Sequence, residues 1–96
     1  MKARALVARN LRRLRVRRGL SQEVLAVDGR VDRTYVSRLE RGLENPTVEV
    51  LERLALALDV RIEEFFVVPA RGEPPPKPLP GGRKPARRFT GGGSYR

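Results

Sequence analysis

The 96-residue sequence predicts an all-α fold. The expected architecture is a compact cluster of five short helices over residues 1–68, then a Pro/Gly/Arg-rich tail over residues 69–96. Three observations lead there. Apolar residues recur three and four apart in successive segments, the period of a helix with one buried face. Ser21, Asp32 and Thr47 stand just before such segments, where a side-chain oxygen caps orphan N–H groups. Gly19 and Gly42 stand just after them, where a left-handed residue closes a helix.

The first helix is expected over Ala3–Arg18. Ala3, Leu6/Val7, Leu11 and Leu14 share one stripe, and Arg9, Arg12, Arg13, Arg17 and Arg18 cover the rest. Next comes LSQEVLAVDGRVDRTYVSRLERG, Leu20 to Gly42, the centre of the chain. Ser21 caps a short helix whose Leu25 and Ala26 face inward. Asp28-Gly29-Arg30 interrupts the pattern, since glycine adopts the left-handed backbone of a sharp reversal. Asp32 then caps a second helix, from about Arg33 to Arg41, with Val36 and Leu39 inward. Helices this short are unstable alone, so the remaining chain must pack around them.

The spacing suits a helix-turn-helix. Ala26 is small where the two helices cross, Val31 fills the space under the corner, and Val36 anchors the second helix. Arg33, Thr34, Ser37 and Arg38 then fall on the exposed face, and such a helix fits the DNA major groove.

Gly42-Leu43-Glu44-Asn45-Pro46 reads as a loop. Thr47 caps a further helix, about Val48 to Leu58, with Val48, Leu51, Leu54/Ala55 and Leu58 as its inward stripe. After the link Asp59-Val60-Arg61, Ile62 to Phe66 makes a last helical turn or two. PARGEPPPKPLPGGRKPARRFTGGGSYR, from Pro69, has no periodic apolar pattern and is expected to be disordered. Arg83, Lys84, Arg87 and Arg88 in it suit non-specific phosphate contacts. PPPKPLP suits a polyproline ligand or a plain linker.

LSQEVLA, RTYVSRLERG and ENPTVEVLERLALAL, in register from about Asn10 to Phe66, resemble the Cro/repressor-type helix-turn-helix family, also called the xenobiotic-response-element family. The resemblance implies a repressor-like domain that binds double-stranded DNA. It places base contacts at Arg33 and Thr34, and Ser37 and Arg38 lie on the same face as further candidates; the alternative for Arg33 and Arg38 is a surface salt bridge, for instance Arg38 with Asp32 or Glu44. It places phosphate contacts at Gln22, Asn45 and Thr47, with Gln22 alternatively bracing a side chain of the reading helix; Tyr35 points aside, where it either hydrogen-bonds a phosphate or packs half-exposed. It pairs Arg15 with Glu40 as a structural ion pair. It also implies a homodimer through Phe65, Phe66 and Val67, whose two half-sites would lie about 34 Å apart; the alternative is that the aromatics complete a small core. One departure concerns the corner, where the family has a small apolar residue and then Gly, and this chain has Gly29 and then Arg30. Either Arg30 carries left-handed strain of about 1–2 kcal/mol, or Gly29 takes the turn and the corner shifts.

Composition agrees with a polyanion partner. The net charge is +10, with +4 on residues 1–68 and +6 on residues 69–96. The absence of Cys and His excludes a disulfide framework, a zinc finger, a thiol nucleophile and imidazole acid–base chemistry. No cofactor, metal site or catalytic residue is expected. No apolar run is long enough for a bilayer, and the charged N-terminus lacks the apolar core of a secretion signal. The expected location is the cytoplasm, at the nucleoid. The leading expectation is a sequence-specific regulator that represses by occupying a palindromic operator. The alternative is an antitoxin or other interaction module that holds a protein partner, such as a toxin, through Phe65–Val68.

Overall fold

In the computed structural model, residues 2–76 are described; expectations for residues 77–96, including Arg83, Lys84, Arg87 and Arg88, lie outside them. Four α-helices and a closing 3-10 turn make up the fold: α1 (Ala3–Arg17), α2 (Gln22–Gly29), α3 (Arg33–Glu40), α4 (Val48–Leu58) and the turn Ile62–Phe66. The all-α expectation holds. Leu11, Leu14, Leu25, Val36, Leu39, Leu54, Leu58 and Phe65 form one core with essentially no exposure. Each such side chain contributes about 1.5–3 kcal/mol by leaving water.

All four α-helices end in the same hydrogen-bond pattern, in which two successive N–H groups turn back onto the last turn. For α2 these are Arg30 N–H to Val27 O at 3.2 Å and Val31 N–H to Ala26 O at 3.0 Å. The pattern needs a left-handed residue. Gly19 and Gly42 supply it after α1 and α3, whereas Arg30 (φ 60°) and Asp59 (φ 59°) supply it after α2 and α4.

The open question at the corner is thereby resolved: Arg30 bears the left-handed turn. Gly29 does not reverse the chain. It is the buried last residue of α2, and a Cβ there would lie 2.7 Å from Leu54 Cδ2. The glycine serves the close approach of α2 and α4 instead.

Other expectations also shift. Asp32 stands at the N-cap position of α3, but its carboxylate makes no capping hydrogen bond. It stays exposed, where water solvates the charge. Val48 is 72% exposed, because α4 packs inward only from Leu51 onward. Ala3 is exposed for a like reason, since α1 is first buried at Val7. Phe65 is wholly buried, so it completes the core and presents nothing to a partner; Phe66 and Val67 alone of the expected dimer residues face outward.

The segment after Pro69 also differs from a contact-free tail in its first residues. Gly72 (φ 80°) turns the chain, Glu73 Oε1 accepts from Ala70 N–H at 2.9 Å, and Arg9 Nη2 donates to Pro74 O at 2.7 Å. Residues 70–76 thus lie back against α1.

Candidate nucleic-acid interface

The outward edge of α3 follows from its inward one. Val36 and Leu39 are buried, so residues on the far side of the helix turn to solvent. Arg33 and Thr34 are exposed, and neither makes a side-chain hydrogen bond or ion pair among the described residues. Ser37 and Arg38 are half-buried on the flanks.

Arg38 is engaged. Its Nε donates to Glu44 Oε2 at 2.7 Å, and its Nη2 reaches Leu43 O at 3.4 Å. Tyr35 packs its ring partly against the core. Burial, and next the negative charge of Glu44, raise its phenol above the ordinary value near 10, while Arg53 opposes them. Asn45 is exposed. Thr47 is exposed too, and its Oγ1 accepts from Val50 N–H at 3.0 Å, which leaves the hydroxyl proton for another partner.

A second cluster centres on Glu40, at the other end of α3. Arg15 grips it with both ends of its guanidinium fork, Nε to Oε2 at 2.5 Å and Nη2 to Oε1 at 3.0 Å. Arg15 Nη1 also donates to Leu20 O at 2.8 Å. Gln22 Nε2 donates to Glu40 Oε1 at 3.1 Å, so Gln22 braces the end of α3. Arg12 Nε adds a longer bond at 3.5 Å. These bonds tie α1, α2 and α3 together through one carboxylate. Losing it would leave buried positive charge behind.

Sequence reasoning passed over three positioning residues. Arg53 Nε donates to Gly29 O at 3.0 Å, which satisfies a carbonyl at the end of α2 and ties the corner to α4. Its partner is backbone, so no pairing of charges gives it away. Asn10 is fully buried; its Nδ2 donates to Phe65 O at 2.8 Å and Val67 O at 2.9 Å, and its Oδ1 accepts from Arg13 Nε. Here a signal existed, a lone amide within the apolar stripe of α1. Arg12 read as one of several surface cations, yet it joins the Glu40 cluster.

The first turn of α3 thus offers a guanidinium and a hydroxyl to solvent, while Arg38 is tied to Glu44 and Gln22 to Glu40. Such groups recognise a polar, anionic surface. Among the described residues no cluster of acidic or metal-ligating side chains is placed to hold a metal ion. No helix among them is long and apolar enough to cross a membrane.

The family model described as "Helix-turn-helix" (HTH_3) matches residues 11–65. A hypothetical transcription factor of Neisseria meningitidis is 42% identical over 66 residues, which span 69% of this chain and 62% of that protein. Among solved structures, the restriction-modification controller protein C.AhdI from Aeromonas hydrophila is similar with a TM-score of 0.64 at 41% identity, covering 66% of this chain and 96% of that one. The controller protein C.Esp1396I, solved as a tetramer with its natural 35 base-pair operator, has a TM-score of 0.63 at 33% identity, covering 69% and 87%. With the two-helix corner, the outward face of α3 and the match across residues 11–65 in agreement, the chain belongs to the Cro/C1-type helix-turn-helix family.

Proposed function

We propose that the chain is a sequence-specific DNA-binding transcriptional regulator that represses by occupying a palindromic operator as a homodimer. The observation that carries this reading is the exposure of Arg33 and Thr34 at the start of α3, with no side-chain partner among the described residues. A free arginine fork takes guanine O6 and N7, and a threonine takes a thymine methyl or a polar base edge. Ser37 and Arg38 extend the same edge, once Arg38 leaves Glu44.

Tyr35, Asn45 and Thr47 flank that edge as phosphate contacts, which set register without reading sequence. Gln22 is committed to Glu40, so its second amide hydrogen is what it offers a phosphate. Phe66 and Val67, 46% and 44% exposed, offer apolar surface for a second copy. The resemblance to C.Esp1396I, a controller protein solved with its operator, supports DNA as the partner. The role so proposed is recognition without catalysis, exercised on DNA in the cytoplasm.

Selection from random duplexes tests the reading. The expected product is a palindrome whose half-sites lie about one helical turn apart. Recovery of no common sequence would overturn it. A protein partner that seals Phe66–Val68 and accounts for all activity without DNA would replace it with the interaction-module reading.

A further inference from the structure

We propose that the cleft between the first half of α1 and the end of α3 is a second binding site for the phosphodiester backbone of duplex DNA, walled on one side in the free protein by Glu73, Pro75 and Pro76. The proposal rests on the DNA-binding reading above and widens its footprint beyond α3.

The cleft encloses about 570 Å³. Lys2, Arg4, Arg9, Arg12 and Arg41 line it, against two carboxylates, Glu40 and Glu73. Glu40 is already shared among Arg15, Gln22 and, at 3.5 Å, Arg12. Among the described residues, Lys2, Arg4, Arg9 and Arg41 therefore face one exchangeable carboxylate, Glu73.

That carboxylate is unusual in the sequence. Glu73 is the sole acidic residue among residues 69–96, which carry seven Lys and Arg. It stands 3.8 Å from Arg9 Nη2, with 42% of its side chain exposed. The Arg9 side chain is only 12% exposed, but at that separation and with its carboxylate half in water the pair is weak and yields to a better anion. A phosphodiester chain is such an anion, because its charges repeat along the strand and engage several of the cations together.

The cleft also opens in a useful direction. Arg41 follows Thr34 by seven residues, and its backbone just past α3 is still near-helical (φ −98°, ψ 5°). Seven residues are about two helical turns, so Arg41 continues the outward stripe that carries Thr34. A duplex seated on the reading edge thus meets Arg41 at the mouth of the cleft, with Glu73 standing in the place of a phosphate.

The test uses the full chain, its selected duplex and a scrambled duplex, titrated at several salt concentrations. Arg4 and Glu73 are exposed, and unchanged thermal melts would show that the variants fold. Arg4→Gln should weaken binding roughly two- to fivefold on both duplexes and flatten the log–log salt slope by about one. Glu73→Gln should tighten binding roughly two- to fivefold on both. Glu52→Gln, which removes an exposed carboxylate outside the cleft, should change affinity much less. If wild-type binding keeps its sequence preference while Arg4→Gln leaves the slope unchanged, or Glu73→Gln merely equals Glu52→Gln, the cleft proposal fails and the regulator reading stands. If an acidic peptide, rather than duplex, fills the cleft, the proposal also fails. A wild-type chain without duplex binding would overturn both.

Discussion

Leu54 and Gly29 meet so closely that one added carbon on the glycine would sit 2.7 Å from the leucine Cδ2. Leu54 is fully buried and has little room to yield. Gly29→Ala should therefore lose about 1 kcal/mol net, since overpacking by about 1–3 kcal/mol exceeds the helix-propensity gain of up to about 1 kcal/mol. Arg30→Gly should do the opposite. It relieves left-handed strain of about 1–2 kcal/mol and gives back part of that as chain entropy, a net gain of about 0.5–1 kcal/mol. Urea unfolding of both variants checks the pair. A reversed order would mean that the corner turns on Gly29 after all.

Glu40 holds three helices through one buried carboxylate. Glu40→Ala should cost about 3–5 kcal/mol, because Arg15 is left buried and unpaired. For a domain this small that approaches the whole stability, so the variant alone reads as unfolded by circular dichroism. Arg15→Met with Glu40→Leu should refold the domain, since neither charge then remains buried. Failure of the double variant to recover over Glu40→Ala would show that the carboxylate matters through Gln22 and Arg12 rather than through Arg15.

Periodicity and caps made the helix order and most of the core legible. They act within a few residues, where spacing is directly informative. The residues that sequence left ambiguous depend on partners far along the chain. Gly29 could not be told from a turn glycine without knowing that Leu54, 25 residues on, packs against it. Arg53 seals a carbonyl on α2, and no side-chain pattern marks a carbonyl. Phe65 and Phe66 are adjacent and chemically alike, and only the approach of α1 decides which one is enclosed. Asn10 fixes that choice by binding the carbonyls of Phe65 and Val67. In the site, exposure of Arg33 follows from Val36 and Leu39. The tie between Arg38 and Glu44 depends on how the loop after α3 returns.

Tyr35 predicts a pH dependence. Burial, and then Glu44, favour its neutral phenol in the folded protein, so its folded pKa lies above the ordinary value near 10. The folded state then holds this proton more tightly than the unfolded chain. The contribution to stability is full below the unfolded pKa and is lost as pH climbs through the raised one. Between about pH 9 and about pH 11, the wild type should lose more stability than Tyr35→Phe, which has no phenol to ionise. Urea unfolding at the two pH values measures the difference, and equal losses would mean that the phenol is as well solvated folded as unfolded.

Arg33 and Arg38 make separable predictions about reading. Arg33 has no side-chain partner among the described residues, so Arg33→Ala breaks no contact seen within the fold. It should cost about 1–3 kcal/mol on the selected duplex and relax preference at one position, with little loss on a scrambled duplex. Arg38 must first leave Glu44, a partly exposed pair worth about 0–1 kcal/mol. Glu44→Gln should therefore tighten selected binding by up to about fivefold, and Arg38→Ala should weaken it whether or not Glu44 is present. Competition binding on selected and scrambled duplexes distinguishes the outcomes. If Arg38→Ala costs nothing while Arg33→Ala costs its full share, Arg38 is a strut between α3 and the following loop, and the reading edge narrows to the first turn of α3.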